Sequence, residues 1–157
     1  IKLNISSWRR PAPNTIPWDT KAAGLYMICT LSKHEAERQG YSESLMLDHE
    51  GNVAESTSAN IFFKDSNGEL HTPIPDCFLD GITRRTVIDI AKSKNIKVHE
   101  RKISPNELPN FVGCFLTGTA AEITPVSKIA ENDYKVCDLI IDLSSSYGKL
   151  VRKKKAA

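Results

Sequence analysis

The chain opens on Ile1-Lys2-Leu3-Asn4-Ile5, an alternation of apolar and polar residues that predicts a strand. Pro11, Pro13 and Pro17 forbid a helix through residue 18, which leaves 1–18 as extended segments. Between Gly24 and Gly40 the stretch LYMICTLSKHEAERQ changes period. Leu25, Ile28, Cys29 and Ala36 form an apolar face, Lys33, Glu37 and Arg38 a wet one, and Gly40 ends the predicted helix. Ser44–Asp48 and Asn60–Lys64 read as strands with a turn at Gly51. Asn67-Gly68 marks a hairpin turn, because both positions can take positive φ. A second helix is predicted from about Thr83 to Lys94, with Thr83 as its N-cap, and a strand over Ile96–Glu100. Ser104 and Glu107 stand at capping-box spacing over a short helical turn, Ser104–Leu108. Gly113–Thr117 reads as a buried strand leading into a Gly118-Thr119-Ala120 turn, and Glu122–Val126 as the next strand. The last 20 residues read as a helix interrupted by Ser144-Ser145-Ser146 and Gly148. The pattern is mixed α and β, rich in hairpins.

Composition narrows this little. At 157 residues, with 40% hydrophobic and 25% charged side chains, the chain reads as one soluble domain with a real core. The net charge of +2 gives no push toward nucleic acid, and Arg152-Lys153-Lys154-Lys155 reads as the solvated end of a helix. Cys29, Cys77, Cys114 and Cys137 lack C-x-x-C spacing, so neither zinc nor a disulfide framework is indicated, and reduced thiols in a cytoplasm are expected. No apolar run has the length of a membrane span, and no signal peptide is present. The chain has no initiator Met and reads as a piece that begins mid-protein. His34, His49, His71 and His99 are scattered without metal spacing, which points to surface or turn roles.

Four places carry candidate chemistry. Lys21 sits just before the predicted first helix, where the axial dipole favours a neutral, nucleophilic amine; the alternative is a plain surface charge. Glu55 stands in VAESTSANIFF, between two strand-like stretches and among small residues that leave room for a bulky partner; the alternative is a turn glutamate bonding local amides. In LDGITRRTV, Arg84 and Arg85 sit at a helix start, where cations are unfavourable unless an anion shares the spot. Free amides of Gly81, Ile82 and Thr83 would then bind a phosphate, or the arginines point outward toward Asp80 and Asp89. Thr119 and Ala120 make a second possible anion cradle, or a plain hairpin turn. An amine, a carboxylate and two anion cradles are what a pyridoxal-phosphate site requires.

The segments SSWRRPAPNTIP, TKAAGLY, ERQGYSESLMLD, GNVAESTSANIFF, HTPIPDCFLDGITRRTV and FLTGTAAEITPV, over residues 5–130, closely resemble class IV (fold type IV) pyridoxal-phosphate aminotransferases, especially branched-chain amino-acid aminotransferases. The resemblance implies an α+β fold, a hairpin-rich, pseudo-barrel-like mixed sheet with flanking helices. It makes Lys21 the Schiff-base lysine and proton shuttle, Tyr26 the partner of the cofactor's phenolic oxygen and Glu55 that of its ring nitrogen. Leu79, Gly81, Ile82, Thr83 and Thr119 surround the phosphate of pyridoxal 5'-phosphate, and Gly118, Thr119 and Ala120 serve the substrate carboxylate. Asn60 matches a recurrent position of the motif, with no physical role legible.

The implied reaction moves the amino group of leucine, isoleucine or valine to 2-oxoglutarate. Its partners are small amino and 2-oxo acids, with a homo-oligomer, dimer or larger, expected for the full-length protein. On the same scaffold stand two rival reactions, D-amino-acid transamination and aminodeoxychorismate lyase chemistry; a non-catalytic truncated domain is the third reading. Residues 1–157 correspond to the family's larger domain, with 1–18 following the interdomain connection. The smaller N-terminal domain, which supplies a further phosphate-binding arginine and part of the substrate pocket, is absent, and Arg9 and Arg10 lie too close to Lys21 in sequence to be that arginine.

Overall fold

The computed structural model describes residues 1–152. Five strands, β1 (Lys2–Arg9), β2 (Glu43–Leu47), β3 (Val53–Ser56), β9 (Lys128–Ile129) and β10 (Asn132–Asp133), form one sheet in the order β10-β9-β1-β2-β3. A second sheet, in the order β6-β5-β4-β7-β8, is built from β4 (Asn60–Lys64), β5 (Leu70–Thr72), β6 (Val98–Glu100), β7 (Gly113–Gly118) and β8 (Glu122–Val126). Both are mixed: β1 runs parallel to β2 and β9, and β5 parallel to β6, while the remaining pairs are antiparallel. Three helices flank them, α1 (Met27–Arg38), α2 (Ile82–Ser93) and α3 (Asp138–Val151).

The sheets join where β3 turns into β4 and again at the chain start, where the Ile1 amine donates to the Pro125 carbonyl at 3.0 Å and the Ser127 amide to the Ile1 carbonyl at 2.8 Å. The result is the curled, barrel-like mixed sheet that the resemblance implies. Between the sheets lies one core, with Leu3, Leu45, Ile61, Phe63, Leu116 and Val126. Phe62, Phe115, Val87, Ile88, Ile140 and Leu143 form another beneath α2 and α3. Strand side chains alternate faces, so β4 sends Ile61 and Phe63 into the first core and Phe62 into the second. Phe62 and its cross-strand partner Phe115 stack with centroids 5.0 Å apart.

Several elements depart from the expected ones. The first helix is preceded by a 3-10 turn, Ala23–Tyr26, so Lys21 does not adjoin an α-helix N-terminus. β3, β5, β9 and β10 are additions to the expected strands: each is at most four residues long, too short to show a period. Glu55 therefore lies on a strand, paired with Met46, rather than between strands. In the 65–69 turn only Gly68 takes positive φ (86°), while the Asp65 carboxylate accepts from the amides of Asn67 and Glu69. Gly81, not Thr83, occupies the N-cap of α2. The Ser104/Glu107 capping contacts are present over a 3-10 turn, Pro105–Asn110. α3 passes unbroken through Ser144–Ser146 and Gly148, anchored by buried Ile140, Leu143 and Tyr147. Residues 153–157, including most of the basic cluster, lie outside the described residues. Among the described residues no helix is long and apolar enough to cross a membrane.

Because Phe62 is fully buried, Phe62→Ala should lower the unfolding free energy by about 3–5 kcal/mol in urea titration. A loss under about 1 kcal/mol would show that the second core does not depend on this ring.

Candidate functional site

One cavity of about 300 Å³ gathers residues from five places in the chain. Lys21 comes from the loop after β1, Tyr26 from the 3-10 turn, and Glu55 from β3. Leu79, Gly81, Ile82 and Thr83 come from the entry to α2, and Gly118 and Thr119 from the end of β7. Ala120 lies in the same turn but does not reach the wall. The convergence follows from the register of the second sheet. Asn60, first in β4, pairs with Thr117 of β7, which sets the β3–β4 turn against the end of β7. That packing is close: a Cβ on Gly118 would sit 3.4 Å from the Ala59 Cβ.

Glu55 is 13% exposed, and its side-chain partners are Arg10 (Nε to Oε1, 3.6 Å) and the Asn60 amide, which donates to Oε2 at 3.3 Å. It is thus not the turn glutamate of the alternative reading. Burial pushes its carboxyl up to about 8, against the opposing pull of the Arg10 guanidinium. Arg10, only 4% exposed, also donates to the Cys77 carbonyl at 3.3 Å and to the Cys29 thiol at 3.4 Å. Burial raises both thiols, Cys77 to about 12.

At the opposite end the two arginines do not share their place with an anion. Arg84 is neither outward nor free for an anion. Its guanidinium is 1% exposed and donates to Asp80 and Glu100 at 2.8 Å each, to the Pro73 carbonyl at 3.0 Å and to the Thr72 hydroxyl at 3.3 Å. Arg85 faces Asp80 at 3.7 Å. Carboxylates, not a bound anion, offset the two cations. The Gly81 amide is also taken, since it donates to Asn60 Oδ1 at 3.1 Å. Any side chain there would displace that oxygen, because a Cβ would fall 2.4 Å from it. The amides of Ile82 and Thr83, in the first turn of α2, still have no intrahelical acceptor and remain suited to an anion. The Thr83 hydroxyl contacts Tyr147 of α3 at 3.3 Å.

Among the wall residues with no role assigned from the sequence, Arg10, Asn60 and Thr117 make or lack contacts that bear on the site. Spacing along the chain sets Arg10 aside, although its place in a Pro-flanked stretch that returns to the sheet is the available signal. Asn60 has a motif position but no contact in the sequence to explain it. Thr117 carries a buried hydroxyl with no hydrogen-bond partner among the described residues, and it lines the cavity. An orphaned donor, a buried carboxylate and a helix N-terminus around one space suit a polar ring with an anionic arm. His34 and His49 are exposed, as expected, whereas His71 and His99 are not plain surface residues. His71 and His99 are opposed on parallel β5 and β6 and stack at 4.7 Å, with Asp65, Glu69 and Arg101 on their nitrogens.

Comparison with known proteins shows what the chain is similar to. A profile of the family described as amino-transferase class IV matches residues 1–129. A probable branched-chain-amino-acid aminotransferase of Rickettsia bellii is 43% identical over 97% of the chain and 54% of its own length. The branched-chain-amino-acid aminotransferase of Escherichia coli K12 is 43% identical over 82% of the chain and 42% of its own. A branched-chain amino acid aminotransferase of T.th., in its crystal structure complexed with N-(5'-phosphopyridoxyl)-L-glutamate, superposes with a TM-score of 0.91 at 36% identity, over 96% of this chain and 52% of that one. The chain spans about half the length of the relatives it matches.

Because the Glu55 carboxyl is raised from 4.5 to about 8, the folded ligand-free protein holds a proton there that the unfolded chain releases. Stability from this group is complete below the unfolded value and is lost as pH rises to about 8. Glu55→Gln should therefore flatten the fall in unfolding free energy between pH ~5 and ~8. An identical slope in the variant, measured by urea titration across that range, would contradict the buried, protonated carboxyl.

Proposed function

The chain belongs to the class IV amino-transferases, and on that premise we propose that it is the cofactor-bearing part of a branched-chain amino-acid aminotransferase. The observation that carries this reading is the meeting of Lys21, Glu55 and the N-terminus of α2 on one cavity. The reaction proposed for the whole protein transfers the amino group of leucine, isoleucine or valine to 2-oxoglutarate. The names of the relatives support the amino acids, and the glutamate-bearing ligand of the T.th. enzyme supports the oxo acid. The relatives are about twice as long as the matched segment. The reading accordingly takes residues 1–157 as the larger domain, leaves the rest of the substrate pocket to the remainder of the whole protein, and expects a homo-oligomer.

The cofactor proposed is pyridoxal 5'-phosphate, which supplies an aldehyde that condenses with amines and a ring that accepts the electrons left at the substrate Cα. The chain's own groups would act as follows. Lys21 Nζ would hold the cofactor's aldehyde and would serve as a positioned base and acid for the proton at the substrate Cα. The Glu55 carboxylate faces the ring nitrogen, whose positive charge gives the carboxyl a partner that draws it back toward ionisation. Tyr26 would meet the phenolic oxygen, and Leu79 would flank the phosphate at the entry to α2. The amides of Ile82 and Thr83, with the Thr119 hydroxyl, take the phosphate, where the positive pole of α2 favours an anion. Gly118 and Thr119 receive the substrate carboxylate, and Ala120 follows in the same turn. The buried Thr117 hydroxyl gives the cavity a further donor near this end.

Borohydride reduction of the cofactor-loaded protein, followed by peptide mapping, should leave the cofactor on Lys21. Label on another lysine would rule the assignment out. Lys21→Ala should slow transamination by at least about 10²–10⁴-fold. As amino acceptor, 2-oxoisocaproate should outperform pyruvate; the reverse would favour D-amino-acid transamination, and pyruvate release from aminodeoxychorismate would indicate the lyase.

A further inference from the structure

Between Glu55 and the entry to α2 stands the buried side chain of Asn60. The Asn60 amide makes three contacts: Nδ2 donates to Glu55 Oε2 at 3.3 Å and to the Leu79 carbonyl at 2.9 Å, and Oδ1 accepts from the Gly81 amide at 3.1 Å. Its orientation is determined by its partners, since a flipped amide would set its NH₂ against the Gly81 N–H and its oxygen against two acceptors. Aspartate has the length but lacks the donors; alanine and serine lack the fork. Leu79 and Gly81 sit in a segment without regular secondary structure, so this fork is their direct tie to β4.

We propose that Asn60 is a positioning residue that locks the Glu55 carboxylate and the Leu79–Gly81 segment in one fixed relation, so that a displacement at either end of the cavity is felt at the other. The proposal rests on the reading of Glu55 as ring partner and of the α2 entry as phosphate site. It concerns the protein's own contacts and holds without the cofactor. Gly81 is the other half of the device: the 2.4 Å approach of Oδ1 to its absent Cβ leaves no room for a side chain. Glu55 also faces Arg10 at 3.6 Å, with the Cys29 thiol beyond it, so the carboxyl reports a change in any of these neighbours.

The test is a carbonyl ¹³C titration of glutamate side chains in the cofactor-free protein, with Glu55 assigned by loss of its signal in Glu55→Gln. Gly81→Ala, although remote from the carboxylate, should raise the Glu55 midpoint by about one pH unit, because a displaced Asn60 no longer donates to it. Asn60→Asp, of the same size, should raise it further by adding a like charge. In an Asn60→Ala background, Gly81→Ala should add nothing, since the obstructing oxygen is gone. An unchanged midpoint in folded Gly81→Ala, or fully additive shifts in the double variant, would overturn the coupling. If Gly81→Ala does not fold, the unmodified protein decides: the Gly81 amide signal should move with the Glu55 midpoint, and a flat signal would overturn the coupling. Label on another lysine after borohydride would remove the functional reading but leave this result standing, so the two failures are distinct.

Discussion

The constraint on which the site depends is the burial of β4 on both faces. Ile61 and Phe63 are enclosed between the sheets, while Phe62 is enclosed beneath the helices. A slip of one residue would exchange these sets and expose each to the wrong core. The register of β4 against β7 is therefore not negotiable, and the β3–β4 turn inherits its place from it. Glu55 before that turn and Asn60 after it stand where they do because phenylalanine rings on the strand permit one alignment. Hydrophobic packing far from any chemistry thus sets the position of the polar groups.

Those polar groups are held by other polar groups. Arg10 is closed off by a carboxylate, a carbonyl and a thiol, and Arg84 by two carboxylates, a carbonyl and a hydroxyl. Buried ions of this kind add little net stability, but each is costly to leave unpaired, which restricts the arrangements available to the loops around them. The β3–β4 turn has a similar buckle: the hydroxyls of Thr57 and Ser58 both donate to buried Glu43. The wall of the cavity is made mostly of turns, yet these contacts allow it little freedom.

Much of the fold was legible in the sequence, because β4, β7, β8 and α2 carry runs long enough to show a period. The two to four residues of β3, β9 and β10 are not, and their pairing is tertiary. Lys21, Glu55 and the Gly81–Thr83 and Gly118–Thr119 turns were legible as an ordered set, and they do share one cavity. Charge along the chain reached only part of the arginine contacts. Asp80, read as a partner of Arg84 and Arg85, does face both, but Glu100, which turns toward Arg84 from β6, is separated from it by most of α2. Arg10 and Glu55 likewise meet through the sheet and not through spacing. Asn60 could not be read, since all three of its contacts lie outside its own strand.

The cysteines show what this enclosure does to intrinsic reactivity. Burial holds the thiols of Cys29, Cys77 and Cys114 above their ordinary range, so few are ionised near neutrality. Electrophiles and peroxides attack the thiolate, and the sulfenic and higher acids are reached only through it. Cys29, though it stands in the wall of a solvent-reachable cavity, is consequently a poor target while the chain is folded. The tertiary structure thus serves as an antioxidant shield for these three sulfurs.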